Sequence, residues 1–525
     1  MSRFKAVVAH APLVCAVSLG CGVDGDGARG RPPASATLTT AYCCDSQAFS
    51  PAMDVDAKFL VFLPLMSGVQ LDEQEGILAE RWDVTDDHRT FTFHLRPGLT
   101  WHDGAPVSAH DVAFTIELLR HPDVLMVSPA GVLPAVVMDD STVVIRHAEP
   151  TDPVQFWSWY VIWPKHLLED LDPAALYDWA FWRAPVGNGP YRFVRHMPGV
   201  MTELQADEDF RLWRPRIPRV VLKFSQSAGL TELLAGAVDV VEIRPEQALR
   251  LEGDDRFRVY HSYHGYMATA LHWRNDHPLF EDPRVRRALT MAVDRHWVIR
   301  ALNLPEATPV FDGVYTHRQV LAGHLPPALP FDTGAAAALL EEVGWKDADG
   351  DGVLDRAGMP FRFTALVAGA DLQGAGLLVQ DQFRRVGIHM MLEVQEPNVT
   401  RDRVRLGAFD AYLGGFGNAP GGLHFALGDE SRIRYRNAAV AALVREARTE
   451  PDPDRRDRLY GCISHHLHDD PPALWLFPQV GMRAAHRRVR GLRSPDRVAE
   501  ILSLRHLWLE DDTAAVTDPE AGSTS

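Results

Sequence analysis

The chain has 525 residues and a mass of 58.4 kDa, with 46% hydrophobic and 23% charged residues. This is the balance of an ordinary folded protein, too long for one compact core, so about two to four lobes are expected. Lys+Arg at 53 against Asp+Glu at 70 leaves a formal charge of −17, which repels nucleic-acid phosphates and anionic lipid headgroups and argues against a nucleic-acid binder.

The N-terminus reads as an export signal. Arg3 and Lys5 form a basic start, a broken apolar stretch runs from Ala6 to Gly20 past His10 and Pro12, and Cys21 follows. Ser18-Leu19-Gly20-Cys21 resembles a bacterial lipobox, although Ser18 stands where Leu is usual. The expectation is a signal segment 1–21 and a mature chain lipidated at Cys21, facing the periplasm or cell exterior. Plain cleavage is the alternative. Residues 22–35, rich in Gly, Asp, Arg, Pro and Ala, suit a flexible tether, and 512–525 an unpatterned polar tail. Beyond residue 22 no uncharged apolar run reaches the roughly 18 residues of a spanning helix; the longest is Phe59 to Val69. Among the 5 cysteines, Cys43 and Cys44 are adjacent and Cys462 stands alone. That excludes a disulfide scaffold or zinc ribbon and predicts buried thiols with at most one bridge to Cys462.

Between tether and tail, strand and helix signals alternate. Thr90-Phe-Thr-Phe-His-Leu95 has period two, and turns follow at Pro97-Gly98 and Asp103-Gly104. Ser108 with Asp111 makes a capping-box-like start to a helix carrying Val112, Ile116 and Leu119 on one face. Strands are predicted at Arg219–Phe224, Val238–Ile243 and Phe361–Val367. A second helix opens at Asp282-Pro283, with Val285, Ala288, Leu289, Ala292 and Ile299 on one stripe, and a third runs from Asp332 to a stop at Gly344. The mixture indicates α/β layers.

The segment Ala79 to Phe114, including Phe91-Thr-Phe-His-Leu-Arg-Pro-Gly-Leu-Thr-Trp-His-Asp-Gly104, resembles the signature of the family 5 extracellular solute-binding proteins, the oligopeptide, dipeptide and nickel binders of ABC importers. Four more segments follow in the family's order: Gly187-Asn-Gly-Pro-Tyr191, Pro278 to Arg295, Leu339 to Trp345 with Asp349-Gly-Asp-Gly352, and Gln382 to Ile388. The resemblance implies a bilobal α/β fold of the periplasmic-binding-protein type, with a cleft between lobes and an inserted third domain. Carried onto this chain, lobe I is 36–52, 186–270 and 480–511, the inserted domain 53–185, and lobe II 271–479. The crossovers fall near Thr269–Trp273 and Leu474–Pro478. Paired crossover strands form a hinge, and closure buries ligand.

Local motifs weigh against chemistry of their own. Asp347-Ala-Asp-Gly-Asp-Gly352 copies the start of an EF-hand loop, but Gly358 stands where the bidentate Glu belongs, so a polar turn is the expectation. His465-His-Leu-His468 before Asp469 and Asp470 reads as a solvated helix end. No His-Glu-x-x-His, Gly-x-Ser-x-Gly or P-loop motif occurs, and the dinucleotide-like Gly20 to Gly25 straddles the export signal. No enzyme, cofactor or metal is therefore expected.

Trp157, Trp159 and Trp163 suit the core of the inserted domain, whereas Trp273 and Trp475, at the crossovers, are candidate ligand contacts. Phe409–Gly417 resembles the strand and loop that in peptide-binding members delivers an aspartate to the ligand's amino group. Here Asn418-Ala-Pro-Gly-Gly422 follows and the acid is absent, leaving Phe416 and Asn418 as candidates. Asp429 and Glu430 are the nearby substitutes. The expected function is capture of a peptide or peptide-like solute for an ABC permease by a monomer. Nickel chelate, opine, sugar or another organic ligand is the alternative, and a cytoplasmic regulator is disfavoured.

Overall fold

The computed structural model describes residues 36–42, 55–67, 75–122, 124, 131–151, 157, 160–225, 229–316, 319, 323–324, 326–417, 420–429, 431–492 and 504–510. Its frame is a 10-stranded sheet. From one edge to the other the strands are His389–Gln395, Arg362–Ala368, Ala411–Gly417, Phe257–Trp273, Ala473–His486, Val240–Glu242, Thr37–Tyr42, Arg219–Phe224, Met201–Ala206 and Tyr191–Met197. Such a sheet is long because two of its strands are long. Phe257–Trp273 and Ala473–His486 run antiparallel beside each other, and different partners use their two ends. Ala411–Gly417 pairs with Met267–Trp273, while Val240–Glu242 pairs with Arg483–Ala485. Two half-sheets are thus joined through one crossover pair.

The join is irregular. Tyr263 lies opposite Val480 and Ala268 opposite Pro478, so residues 264–267 face the single residue Gln479. Pro478 has no N–H to give a ladder. The pairing of Ala268–His272 with Ala473–Pro478 belongs to the second half-sheet and carries a smaller register shift between Thr269, opposite Phe477, and Ala270, opposite Trp475. The main break therefore lies just before Thr269–Trp273 on one strand and just after Leu474–Pro478 on the other, the two segments expected as crossovers.

Each half-sheet is covered on both faces. In the second half, Leu271 and Trp273 join a core with Phe280, Phe363 and Phe383, whereas Ala268, Ala270, Phe416 and Trp475 join another with Tyr435 and Tyr460. In the first half, Leu38, Val220 and Leu204 face one core, and Ala41, Val241 and Met482 the other. The former continues without a break into a 4-stranded sheet ordered Ala79–Val84, Thr90–Leu95, Thr142–Arg146, Val136–Asp139 and the helix Ala109–Arg120. Gly187-Asn-Gly189 locks this continuity: the N–H groups of Asn188 and Gly189 donate to Val61 O at 3.0 and 2.8 Å, and Asn188 Oδ1 accepts from Leu63 N at 2.8 Å.

The caps act as read. Asp111, 3% exposed, accepts from Ser108 N and Lys165 N, both at 2.8 Å. Asp282 caps Pro283–Met291, and Asp332 caps Thr333–Glu342 ahead of Gly344 at φ 91. One expectation fails: the stripe from Val285 to Ile299 spans two helices, because Asp294 leaves the helical path and caps Arg295–Ala301 with a bond to Trp297 N. All five stripe residues are nonetheless buried. Cys462 corrects another expectation, since it is exposed and its thiol free; helix Pro453–Asp469 turns Tyr460, Ile463 and Leu467 inward instead. Cys21, Cys43, Cys44 and Trp159 lie outside the described residues, while Trp157 and Trp163 are buried in the core. No described helix is long and apolar enough to cross a membrane.

Candidate functional site

In open α/β sheets ligands gather beyond the carboxyl ends of parallel strands. Both half-sheets point those ends at the crossover break. In the second half, Arg362–Ala368 is parallel to His389–Gln395 and Ala411–Gly417, and Gly417 sits opposite Met267 beside the break. In the first half, Thr37–Tyr42 is parallel to Arg219–Phe224 and Val240–Glu242, and Ile243 N donates to Met482 O toward the same break. The segments after Glu242 and Ala368 thus follow strands whose carboxyl ends point at the break, one in each half.

Charged groups occupy both of these segments. Arg244, exposed, donates to Glu246 Oε1 at 2.5 Å. Its pKa is raised by that hydrogen bond and charge, with a further contribution from the Asp371 carboxylate of the opposite half. Glu246 loses some hydration, which lifts its pKa, but the Arg244 bond and charge and the Arg250 charge outweigh this and hold it below the usual carboxylate range. Asp371 lies in the turn Ala370–Leu372 that follows Gly369 at φ 99. Arg244, already paired with Glu246, and Asp371 thus follow strands of opposite halves whose carboxyl ends point toward the break.

The sequence candidates lie elsewhere. Trp273 is fully buried and stacks on Phe280 at 5.1 Å. Phe416 and Trp475 are brought together at 5.3 Å, but on the opposite face of the sheet and almost fully buried. Phe416 also continues a stack in which His272 lies 5.4 Å from it and 4.2 Å from Tyr412. Burial pushes the His272 imidazole down to about 3. All three candidates are packed inside the second half, because central strands covered on both faces bury every side chain. Asn418 lies outside the described residues. Sequence reading missed Arg244 and Asp371; the available signal was a charged residue just after each of two predicted apolar strands.

Asp429 is an exposed carboxylate paired with Arg445 at 2.5 Å, and its carbonyl accepts from Arg436. Glu430 lies outside the described residues. Asp347, Asp349 and Asp351 place ligand atoms within 4.8 Å of one another, the one such trio among the described residues, and all are exposed. Asp347 accepts from Gly350 N and Gly352 N at 2.8 and 3.1 Å, the bonding of a polar turn. The pKa of Asp355 is raised by lost hydration and then by the charges of Asp349, Asp351 and Asp347. His465 and His466 are exposed on helix Pro453–Asp469.

Residues 73–427 match the family model of the bacterial extracellular solute-binding proteins, family 5, middle region. The chain belongs to this family. Oligopeptide-binding protein AppA of Bacillus subtilis is 24% identical over 462 residues, covering 82% of this chain and 83% of AppA. The AppA structure in complex with a nonapeptide matches with a TM-score of 0.70 at 21% identity, over 90% of this chain and 99% of that one. NikA from Brucella suis in complex with Fe(III)-EDTA matches at TM-score 0.76 and 20% identity, over 90% of this chain and 100% of NikA. The binding protein AgaA in complex with agropinic acid, from A. tumefaciens R10, matches at 0.68 and 19%, over 90% and 99%. These likenesses fix a bilobal solute-binding fold for the family 5 chain.

Proposed function

We propose that this family 5 protein captures a peptide or peptide-like solute in the gap between its half-sheets and delivers it to an ABC importer, as a monomer and without covalent chemistry. The observation that carries the reading is the crossover pair broken at 264–267 against Gln479, toward which the carboxyl ends of both sets of parallel strands point. Lobe I is then 36–52, 186–270 and 480–511, lobe II 271–479, and 53–185 an inserted domain. The export signal ends at Cys21, whose lipid holds the mature chain to the outer side of the membrane. Fatty-acid labelling of the wild type and of Cys21→Ser tests this anchor: equal labelling of the two removes it.

A second reading, a ligand without a free ammonium group, is favoured by the acid-free strand Ala411–Gly417 and by the engagement of Asp429 with Arg445. A buried ammonium without an anion costs several kcal/mol, enough to erase micromolar affinity. The proteins that resemble this one include AgaA, bound to agropinic acid, and NikA, bound to Fe(III)-EDTA. Calorimetric titration with unmodified di- to pentapeptides and their N-acetylated forms separates the readings. Tight binding of free peptides that acetylation abolishes restores the free-amine peptide. Native mass spectrometry of protein from its own host then gives the mass of any retained ligand.

A further inference from the structure

Glu149 and Arg448 are 299 residues apart, yet Arg448 Nη2 donates to Glu149 Oε2 at 2.9 Å. Glu149 follows strand Thr142–Arg146 of the 4-stranded sheet, which shares a core with the first half-sheet. Arg448 is in the last turn of helix Ala438–Thr449, packed in the aromatic core of the second half through Val440 and Val444. The pair therefore bridges the two bodies that the crossover strands connect. Its side chains are 35% exposed at Arg448 and 56% at Glu149, and Arg448 Nε is buried without a partner among the described residues. A guanidinium that has lost water on one edge depends on the carboxylate at its other edge, a dependence that ends when the bodies separate and water returns. The contact holds the two bodies together in the arrangement observed.

We infer that Glu149 and Arg448 form a latch across the gap between the halves, acting as positioning residues that set the closed fraction and, through it, the apparent affinity for solute. The inference rests on the hinge reading proposed above. Where only one conformer binds productively, apparent affinity scales with the fraction of molecules in it. Because both groups remain partly exposed, salt screens the pair and lowers the closed fraction.

The test needs no ligand. Single-molecule energy transfer is recorded on the stripped full chain between dyes on non-natural residues replacing Asp140 and Arg384, one on each body. Glu149→Arg sets two cations face to face and should lower the closed-to-open ratio about two- to fivefold at low salt. Glu149→Arg combined with Arg448→Glu should restore the ratio, and salt at about 0.5 M should erase the difference. The melting temperature should be equal in all forms, which a merely structural role would not allow. Two populations in a ratio that ignores Glu149→Arg would overturn the latch and leave the hinge standing. One unchanging distance in every variant and at every salt concentration would overturn the hinge reading with it.

Discussion

The two bodies differ in what their cores bury: the ion-paired carboxylates of the first, such as Glu203 and Asp239, meet partly exposed arginines, whereas in the second both partners of a pair are enclosed. The first half-sheet and the 4-stranded sheet share one apolar core running from Leu38 through Phe62 and Trp182 to Leu204 and Val220, stitched at Gly187-Asn-Gly189. The second half has separate apolar cores on the two faces of its sheet, pinned by buried charges. Arg295 and Asp312, with side chains 3% and 0% exposed, pair at 2.6 Å, and Arg295 also donates to the carbonyls of Phe311, Leu329 and Trp475. Arg286, equally buried, reaches Asp470, which also accepts from Tyr435 OH at 3.0 Å. Hydrophobic continuity tolerates small shifts, whereas a desolvated ion pair fixes its elements in one geometry.

The largest expected effect tests the pinned half. Asp312→Ala leaves Arg295 buried without its anion and should cost about 3–5 kcal/mol in urea unfolding. A loss near that of a surface pair would show that the charges do not pin the fold. In the stitched half, a Cβ on Gly187 would lie 1.9 Å from Val61 O, backbone that cannot swing away. Gly187→Ala should cost up to about 3 kcal/mol by overpacking. Gly461→Ala, where nothing lies within 4 Å on an exposed helix face, should instead stabilise by about 1 kcal/mol.

Each region also holds a buried neutral histidine. His147, between Phe91 and Trp157, is pushed down to about 4 by burial, and His272 to about 3. With folded pKa values below the ordinary 6.5, their neutral forms favour folding above that pH, and stability falls as pH drops from there toward the folded values. For His272 the loss at pH 5 relative to pH 8 should be about 2 kcal/mol. His272→Phe should remove that part of the pH dependence, and a pH profile unchanged by the substitution would contradict the account. The smallest effect belongs to the acidic turn: Asp349→Asn relieves like-charge repulsion on Asp355 and should move its raised pKa back toward the ordinary carboxylate value, as NMR titration would read, with no resolvable change in melting temperature.

Much of the fold was legible because its signals are local. Asp282 and Asp332 announce helix starts by accepting nearby backbone N–H groups, and Thr90–Leu95 alternates because one face is covered. The cap at Asp294 was equally local but was overridden by the continuing apolar stripe. Site orientation was not legible. Trp273, Phe416 and Trp475 lie on central strands, and a strand buried on both faces gives no sign of which side chains reach its open end.

By itself, then, the sequence determined the elements, their caps and the family, because these depend on residues within a few positions of one another or on ordered motifs along the chain. Long-range packing alone set where the crossover ladder breaks and that Glu149 meets Arg448. Those facts depend on pairing between segments up to 299 residues apart, where register and packing, rather than local preference, choose the neighbours.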